Sequence, residues 1–229
     1  MSSLVLSSTA RRGLERMAAD VRRVFGSRFV AHVASGQAHS AVFVTSISAG
    51  DLDALAPLSH TWHHDHLASP LVLTLEEFKR SLDAFPVEYQ AIIDRHVVIA
   101  GIDPFGGLEA HAEDLRRACE IQAKSHVIHL RQGWIDAGGD THALARVVEQ
   151  SSAPLRALLM NVARLHGLGS LDEAPLAAAE LAGLPEPLVR EVLALEQTPE
   201  KSTALAARSA EYLAASLQLW AFVDRWRTQ

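Results

Sequence analysis

Apolar and polar positions follow two different periods along the first hundred residues. Between Leu14 and Val24 the apolar residues recur at the three- and four-residue spacing of one helix face, and Gly26 predicts the end of that helix. Short runs rich in β-branched and aromatic residues predict buried strands. These runs are 29–34, 41–47, 71–73, 86–92 and 96–100.

Two helix starts lie between the predicted strands. Asp51 is a candidate cap for a helix running towards Leu67, which Pro57 would kink. Thr74 and Glu77 have the spacing of a capping box, which predicts a helix to about residue 84. Helices and strands therefore alternate in this part of the chain.

After Gly106-Gly107 the strand signal ends and only helical periodicity follows. The predicted helices are 108–137, 141–150, 153–166, 173–182, 187–196 and 199–227. Trp134 and Trp220 fall on apolar stripes, so we expect both in the core. The fold class predicted is α+β, with a small mixed-sheet domain over 1–107 followed by an all-α helical bundle over 108–229.

Composition narrows the classes of function. The chain has 229 residues and a net charge of −6, which argues against a nucleic-acid partner. Its one cysteine, Cys119, cannot form an intramolecular disulfide and is expected to be a small buried hydrophobe. No signal peptide and no membrane-spanning run is evident, so we expect a cytoplasmic protein without a membrane partner.

Four segments carry a family resemblance: FPVEY at 85–89, DRHVV at 94–98, GIDP at 101–104 and LRQ at 130–132. With them the chain resembles a bacterial group of the DNA polymerase beta-like nucleotidyltransferase superfamily. That group joins a small α/β domain to a helical domain similar to the one in kanamycin nucleotidyltransferase. The resemblance implies the same two-domain arrangement here.

The chemistry of that family implies a Gly-Ser turn, two carboxylates on the next strand that hold Mg²⁺, and a third carboxylate nearby. In this sequence the turn falls at Gly36, with Gln37 in place of serine. The two carboxylate positions fall near His39 and Ala41, and residues 33–44 contain no acidic side chain. Because Mg²⁺ needs oxygen ligands, we expect no Mg²⁺ and no other cofactor. A catalytically degenerate protein is the leading interpretation.

A ligand site is still implied by the resemblance. Glu88, on a predicted strand, is the weak candidate for the surviving third carboxylate. With Gly36, Gln37 and His39 it would face Arg131, whose planar cation suits a small anionic ligand or a nucleotide. The expected ligand-binding residues are therefore Gly36, Gln37, His39, Glu88 and Arg131.

Three functions stay open. The first is a degenerate nucleotidyltransferase that binds a small ligand or a protein partner. The second is an active metal-dependent enzyme with relocated carboxylates, using Glu88 with Asp51 or Asp53, although helix capping explains these aspartates better. The third is an interaction module paired with a genuine nucleotidyltransferase. We expect the first, and therefore no nucleotidyl transfer.

Two groups of histidines add alternatives. His60, His63 and His64 share a helix face at spacings that could chelate Zn²⁺ or Ni²⁺, but a solvated face is the favoured interpretation and no metal is predicted. His126 and His129 lie on the long predicted helix near Arg131. They would belong either to an inter-domain hydrogen-bond network, which we favour, or to an anion pocket.

Overall fold

The computed structural model describes residues 4–168 and 173–226. Residues up to His111 form one compact unit, here called the sheet unit, and residues from Ala112 form a second, the helical unit. The sheet unit mixes strands and helices, and the described part of the helical unit contains helices without strands. The α+β class predicted from the sequence is confirmed.

The sheet has four strands among the described residues, in the order β3-β2-β1-β4. They are β1 (Phe29–Ala34), β2 (Ser40–Val44), β3 (Leu71–Thr74) and β4 (Val97–Gly101). β1 runs antiparallel to both β2 and β4, whereas β2 and β3 are parallel. All four coincide with predicted strands, and β2 is buried along its whole length.

One face of the sheet packs against α1 (Ser8–Phe25). Leu14, Met17 and Val21 of this helix are fully buried against Val42 and Val44 of β2. The helix begins at the cap Ser7, whose side chain accepts a hydrogen bond from Ala10 N, and ends at Gly26 as predicted. The three-and-four spacing of its apolar residues is what turns one continuous face to the sheet.

The opposite face carries an aromatic cluster. Phe43 of β2 meets Phe78 and Phe105 edge-on at ring-centroid distances of 5.4 and 5.3 Å. Phe78 lies on α4 (Leu75–Arg80), which begins at the predicted Thr74 capping box, and it stacks on Tyr89 at 4.3 Å. Alternation along β2 therefore supplies both cores, because odd and even positions point to opposite faces.

The predicted strand at 86–92 is wrong, because this segment is the helix α5 (Pro86–Asp94). Pro86 occupies its first turn, where the fixed φ of proline suits a helix and the missing N–H is not needed. Val87 and Gln90 are buried at helical spacing, and Glu88 between them is exposed. A short apolar run does not by itself distinguish a strand from a helix.

The segment after β2 forms two short helices, α2 (Ala49–Leu55) and α3 (Ser59–His64), joined by a 3₁₀ turn that contains Pro57. The cap of α2 is Ser48 rather than Asp51. Asp51 sits three residues inside and completes a capping box by accepting a hydrogen bond from Ser48 N. The helical segment also ends at His64, short of the predicted Leu67.

The helical unit is built on two long helices, α6 (Ala112–Asp136) and α7 (Thr141–Leu165). They are followed by α8 (Ala174–Leu181), α9 (Glu186–Ala194), α10 (Ser202–Ala206) and α11 (Ser209–Arg225). α7 is one helix where two were predicted, and it continues through Pro154. The single predicted helix at 199–227 is divided into a 3₁₀ turn, α10 and α11, and position 227 lies outside the described residues.

Two further predictions concern the core of the helical unit. Cys119 is fully buried, as predicted, and burial raises the pKa of its thiol to about 12. Trp134 was expected in the core but is 37% exposed, while Trp220 packs partly buried against the core of this unit. Among the described residues, no helix is both long and apolar enough to cross a membrane.

Candidate functional site

The turn that the family resemblance places at Gly36 is a tight hairpin between β1 and β2. Ser35 N donates to His39 O at 3.0 Å, which closes the loop around Gly36. Gly36 does not have a positive φ, so its backbone conformation does not require glycine. His39 is exposed at the end of this loop.

Gln37 has a structural partner within the sheet unit. Its side-chain oxygen accepts from Ser7 N at 3.0 Å, and its amide nitrogen donates to Val5 O at 2.8 Å. Ser7 is the cap of α1, so Gln37 fixes the segment that leads into this helix. Both hydrogen bonds of the Gln37 side chain therefore go to the chain itself.

The other predicted ligand-binding residues are Glu88 and Arg131. Glu88 is exposed in the first turn of α5, and Arg131 is exposed on α6. Gly36, Gln37, His39 and Glu88 belong to the sheet unit, and Arg131 belongs to the helical unit. The anion site predicted from these five residues stays a prediction.

Asp51 is fully engaged by neighbouring groups. Arg28 donates to both carboxylate oxygens, from Nη2 to Oδ1 at 2.6 Å and from Nη1 to Oδ2 at 2.7 Å. Ser48 donates to Oδ2 from its backbone nitrogen and from its hydroxyl, each at 2.8 Å. The hydrogen bonds from Arg28, and then those from Ser48, hold the pKa of Asp51 well below its ordinary value. Asp53 is exposed on the same helix.

The predicted histidine cluster is spread over the surface of α3. His60, His63 and His64 are all exposed, and His63 Nε2 lies 3.3 Å from the hydroxyl of Ser69. Across residues 4–168 and 173–226, no three His, Cys, Asp or Glu side chains converge closely enough to hold a metal ion. The buried member of α3 is Trp62, whose indole N–H donates to Asp20.

A groove lies between α6 and α7, within the helical unit. Its volume is about 610 Å³, inside the range of about 300–1,000 Å³ that small-molecule sites occupy. The wall from α6 includes Gln122, Ser125, His126, His129 and Asp136. The wall from α7 includes Val147, Gln150, Ser151, Pro154 and Ala157.

Two small or constrained residues shape this groove. A Cβ on Gly133 would lie 2.7 Å from a methyl group of Val147, so the two helices approach each other as closely as glycine permits. Pro154 has no N–H, so the carbonyl of Gln150 loses its helical partner. Both Pro154 and Gln150 line the groove.

A buried chain of hydrogen bonds underlies the groove. Tyr212 of α11 lies 3.0 Å from His126 Nε2 and 2.9 Å from the hydroxyl of Ser151. Ser151 also donates to Val148 O at 2.6 Å. Burial lowers the pKa of His126 to about 4 and raises that of Tyr212.

His129 and Gln122 are two other polar residues of the groove wall. His129 Nδ1 lies 2.9 Å from Ser125 O and 3.1 Å from the hydroxyl of Ser125. The side-chain oxygen of Gln122 is buried and has no hydrogen-bond partner within the described chain. A buried acceptor left without a donor is unfavourable by about 1–3 kcal/mol.

The sequence indicates part of this groove through His126 and His129. His126 has its hydrogen-bond partner Tyr212 in the helical unit itself, and the network between domains stays a prediction. Tyr212 is 86 positions away along the chain, and no spacing rule connects the two. Pro154 lies at the start of the helix predicted over 153–166, whereas the structure has it inside α7.

Comparisons with known proteins identify no relative of this chain. No protein-family model, no curated protein and no solved structure matches this chain.

Proposed function

We propose that this chain is a small-molecule-binding protein whose sheet unit has a nucleotidyltransferase-like origin but does not transfer nucleotides. The observation that carries the binding function is the groove between α6 and α7, with its volume of about 610 Å³. It combines apolar walls with a few polar groups, which is the usual make-up of a ligand site.

The absence of transfer chemistry is supported by how the nearby carboxylates are used. The hairpin at 35–39 contains no acid, and Asp51 is occupied by Arg28 and Ser48. Two-metal phosphoryl chemistry needs carboxylates whose oxygens are free to bind the ions. An active enzyme built on Glu88 with Asp51 would first have to break that ion pair.

We expect no Mg²⁺- or Mn²⁺-dependent nucleotidyl transfer. The measurement is pyrophosphate release from each nucleoside triphosphate, with the Glu88→Ala and Asp51→Asn variants as controls. Background release that is equal in all three proteins is the expected result. Metal-dependent release that disappears in either variant would show that a working site exists and would contradict this part of the proposal.

Ligand binding to the groove is testable with a filling substitution. Ala157 is an exposed residue of the groove wall, so Ala157→Trp is expected to block the groove without disturbing the core. Ala214 is an equally exposed alanine on α11 outside the wall, and Ala214→Trp is its matched control. Fragments such as indole and benzamide are expected to bind with millimolar Kd and to lose about tenfold or more in affinity in Ala157→Trp alone.

The readout is the NMR chemical shift of the His126 and His129 rings, since both line the groove. Fragments that shift these resonances in the wild type and in Ala214→Trp support the proposal. Circular dichroism melts establish that the variants are folded. Fragments that bind equally well to Ala157→Trp would place the site elsewhere and remove the observation on which the function rests.

A further inference from the structure

The charges around the groove constrain its ligand. Asp136 is the residue with a full charge among those that line it, and neither lysine nor arginine does so in the described part of the chain. Arg131 is on the same helix but is not part of the wall. A phosphate or carboxylate ligand would therefore meet no fixed cation here.

The helix ends reinforce this preference. Asp136 is the last residue of α6, and the last turn of that helix contains no basic side chain. The negative end of the helix dipole and the carboxylate thus act in the same place, where a cation is stabilised. The positive end of α7 offers no compensating anion site, because Asp140 already accepts from His142 N and Ala143 N.

Resting on the proposed function, we infer that the groove takes an organic amine or amidine with an apolar body, and not an anion. The apolar body packs on Val147, Pro154 and Ala157. The positive charge lies near Asp136. This class differs from the small anionic ligand or nucleotide that the sequence suggested for Gly36, Gln37, His39, Glu88 and Arg131.

Four probes of one shape separate charge from hydrogen bonding. Benzamidine is a cationic donor, benzamide is a neutral donor and acceptor, methyl benzoate is a neutral acceptor, and benzoate is an anionic acceptor. Titrations of the full chain, followed at the His126 and His129 rings, are expected to show the tightest binding for benzamidine and the weakest for benzoate. Benzamidine should exceed benzamide by about fivefold, the effect of one solvent-exposed ion pair.

Two variants test whether the preference for a cation comes from Asp136. Asp136→Asn is expected to bring benzamidine down to the affinity of benzamide and leave benzamide unchanged. Glu180→Gln removes the same charge from an exposed position outside the wall and is expected to change neither affinity.

The outcomes distinguish a failure of this inference from a failure of the proposed ligand-binding function on which it rests. If none of the four probes binds in the groove, both fail. If benzoate or methyl benzoate binds as tightly as benzamidine, the groove still binds ligands but the inferred class is wrong. If benzamidine binds best but Asp136→Asn and Glu180→Gln weaken it equally, the preference comes from the net charge of the protein, and the assignment to the groove is overturned.

Discussion

Replacing Gly101 by alanine is expected to lower the unfolding free energy of the sheet unit by about 3 kcal/mol or more. Gly101 ends β4 with a φ of +88°, a conformation that alanine adopts only with strain. A Cβ there would also lie 2.1 Å from the carbonyl oxygen of Val30 and 2.8 Å from the Cα of Ala31. Both of these atoms belong to the backbone of the neighbouring strand β1, so moving a side chain cannot relieve the contacts.

A second glycine separates these two effects. Gly107 has a similar positive φ of +73°, but nothing lies within 4 Å of the Cβ that alanine would add. Gly107→Ala is therefore expected to show only the conformational strain, about 1 kcal/mol. The measurement is urea unfolding followed by the NMR signals of β1 and β2 amides, which report on the sheet unit alone. Equal losses in the two variants would show that β1 yields at Gly101 and that the close approach is unimportant.

Acidification is expected to destabilise the sheet unit through His32. This residue lies in β1, fully buried, and both its ring nitrogens lack hydrogen-bond partners within the described chain. Burial lowers the pKa of His32 from 6.5 to about 4. Between these two values the unfolded chain binds the proton and the folded chain does not, so unfolding becomes easier as the pH falls. The full difference corresponds to about 3 kcal/mol, present above pH 6.5 and lost by about pH 4.

His32→Met tests the assignment, because methionine has a similar volume and no ionisable group. The variant is expected to be at least as stable as the wild type at pH 7, since no unpaired polar nitrogen remains buried. Below pH 6.5 its loss of stability should be smaller by most of those 3 kcal/mol. His64→Gln is the control, because the side chain of His64 is 90% exposed. Observing β2 amides excludes the similar contribution of His126 in the helical unit. An unchanged pH slope in His32→Met would refute the role of His32.

Most elements of the sheet unit could be predicted from the sequence. Four of five predicted strands exist, because runs such as 41–44 are apolar and rich in β-branched residues, which favours a buried strand. The capping box at Thr74 and the helix end at Gly26 are local signals, and the structure confirms both. The segment at 86–92 failed because its helix depends on which side chains reach the aromatic cluster, and that is a tertiary property.

The proposed ligand site was harder to predict from the sequence than the sheet unit, for a different reason. Gln37 was assigned to a ligand by the family resemblance, yet its hydrogen bonds go to Val5 and Ser7. Pro154 signals a break in the sequence, but α7 continues through it because packing on both sides of the proline outweighs one missing hydrogen bond. The groove that results from this helix has no motif in the sequence.

The sequence by itself determined the α+β class, the switch to helices after Gly106-Gly107, and the lack of acids around Gly36. These follow from composition and short-range periodicity, which act over a few residues. Tertiary structure decided the groove, the hydrogen-bond partner of His126 and the role of Asp51. Each of these depends on partners that folding brings together from distant positions, as with Tyr212 and His126, and the free energy of such contacts exists only in the packed chain.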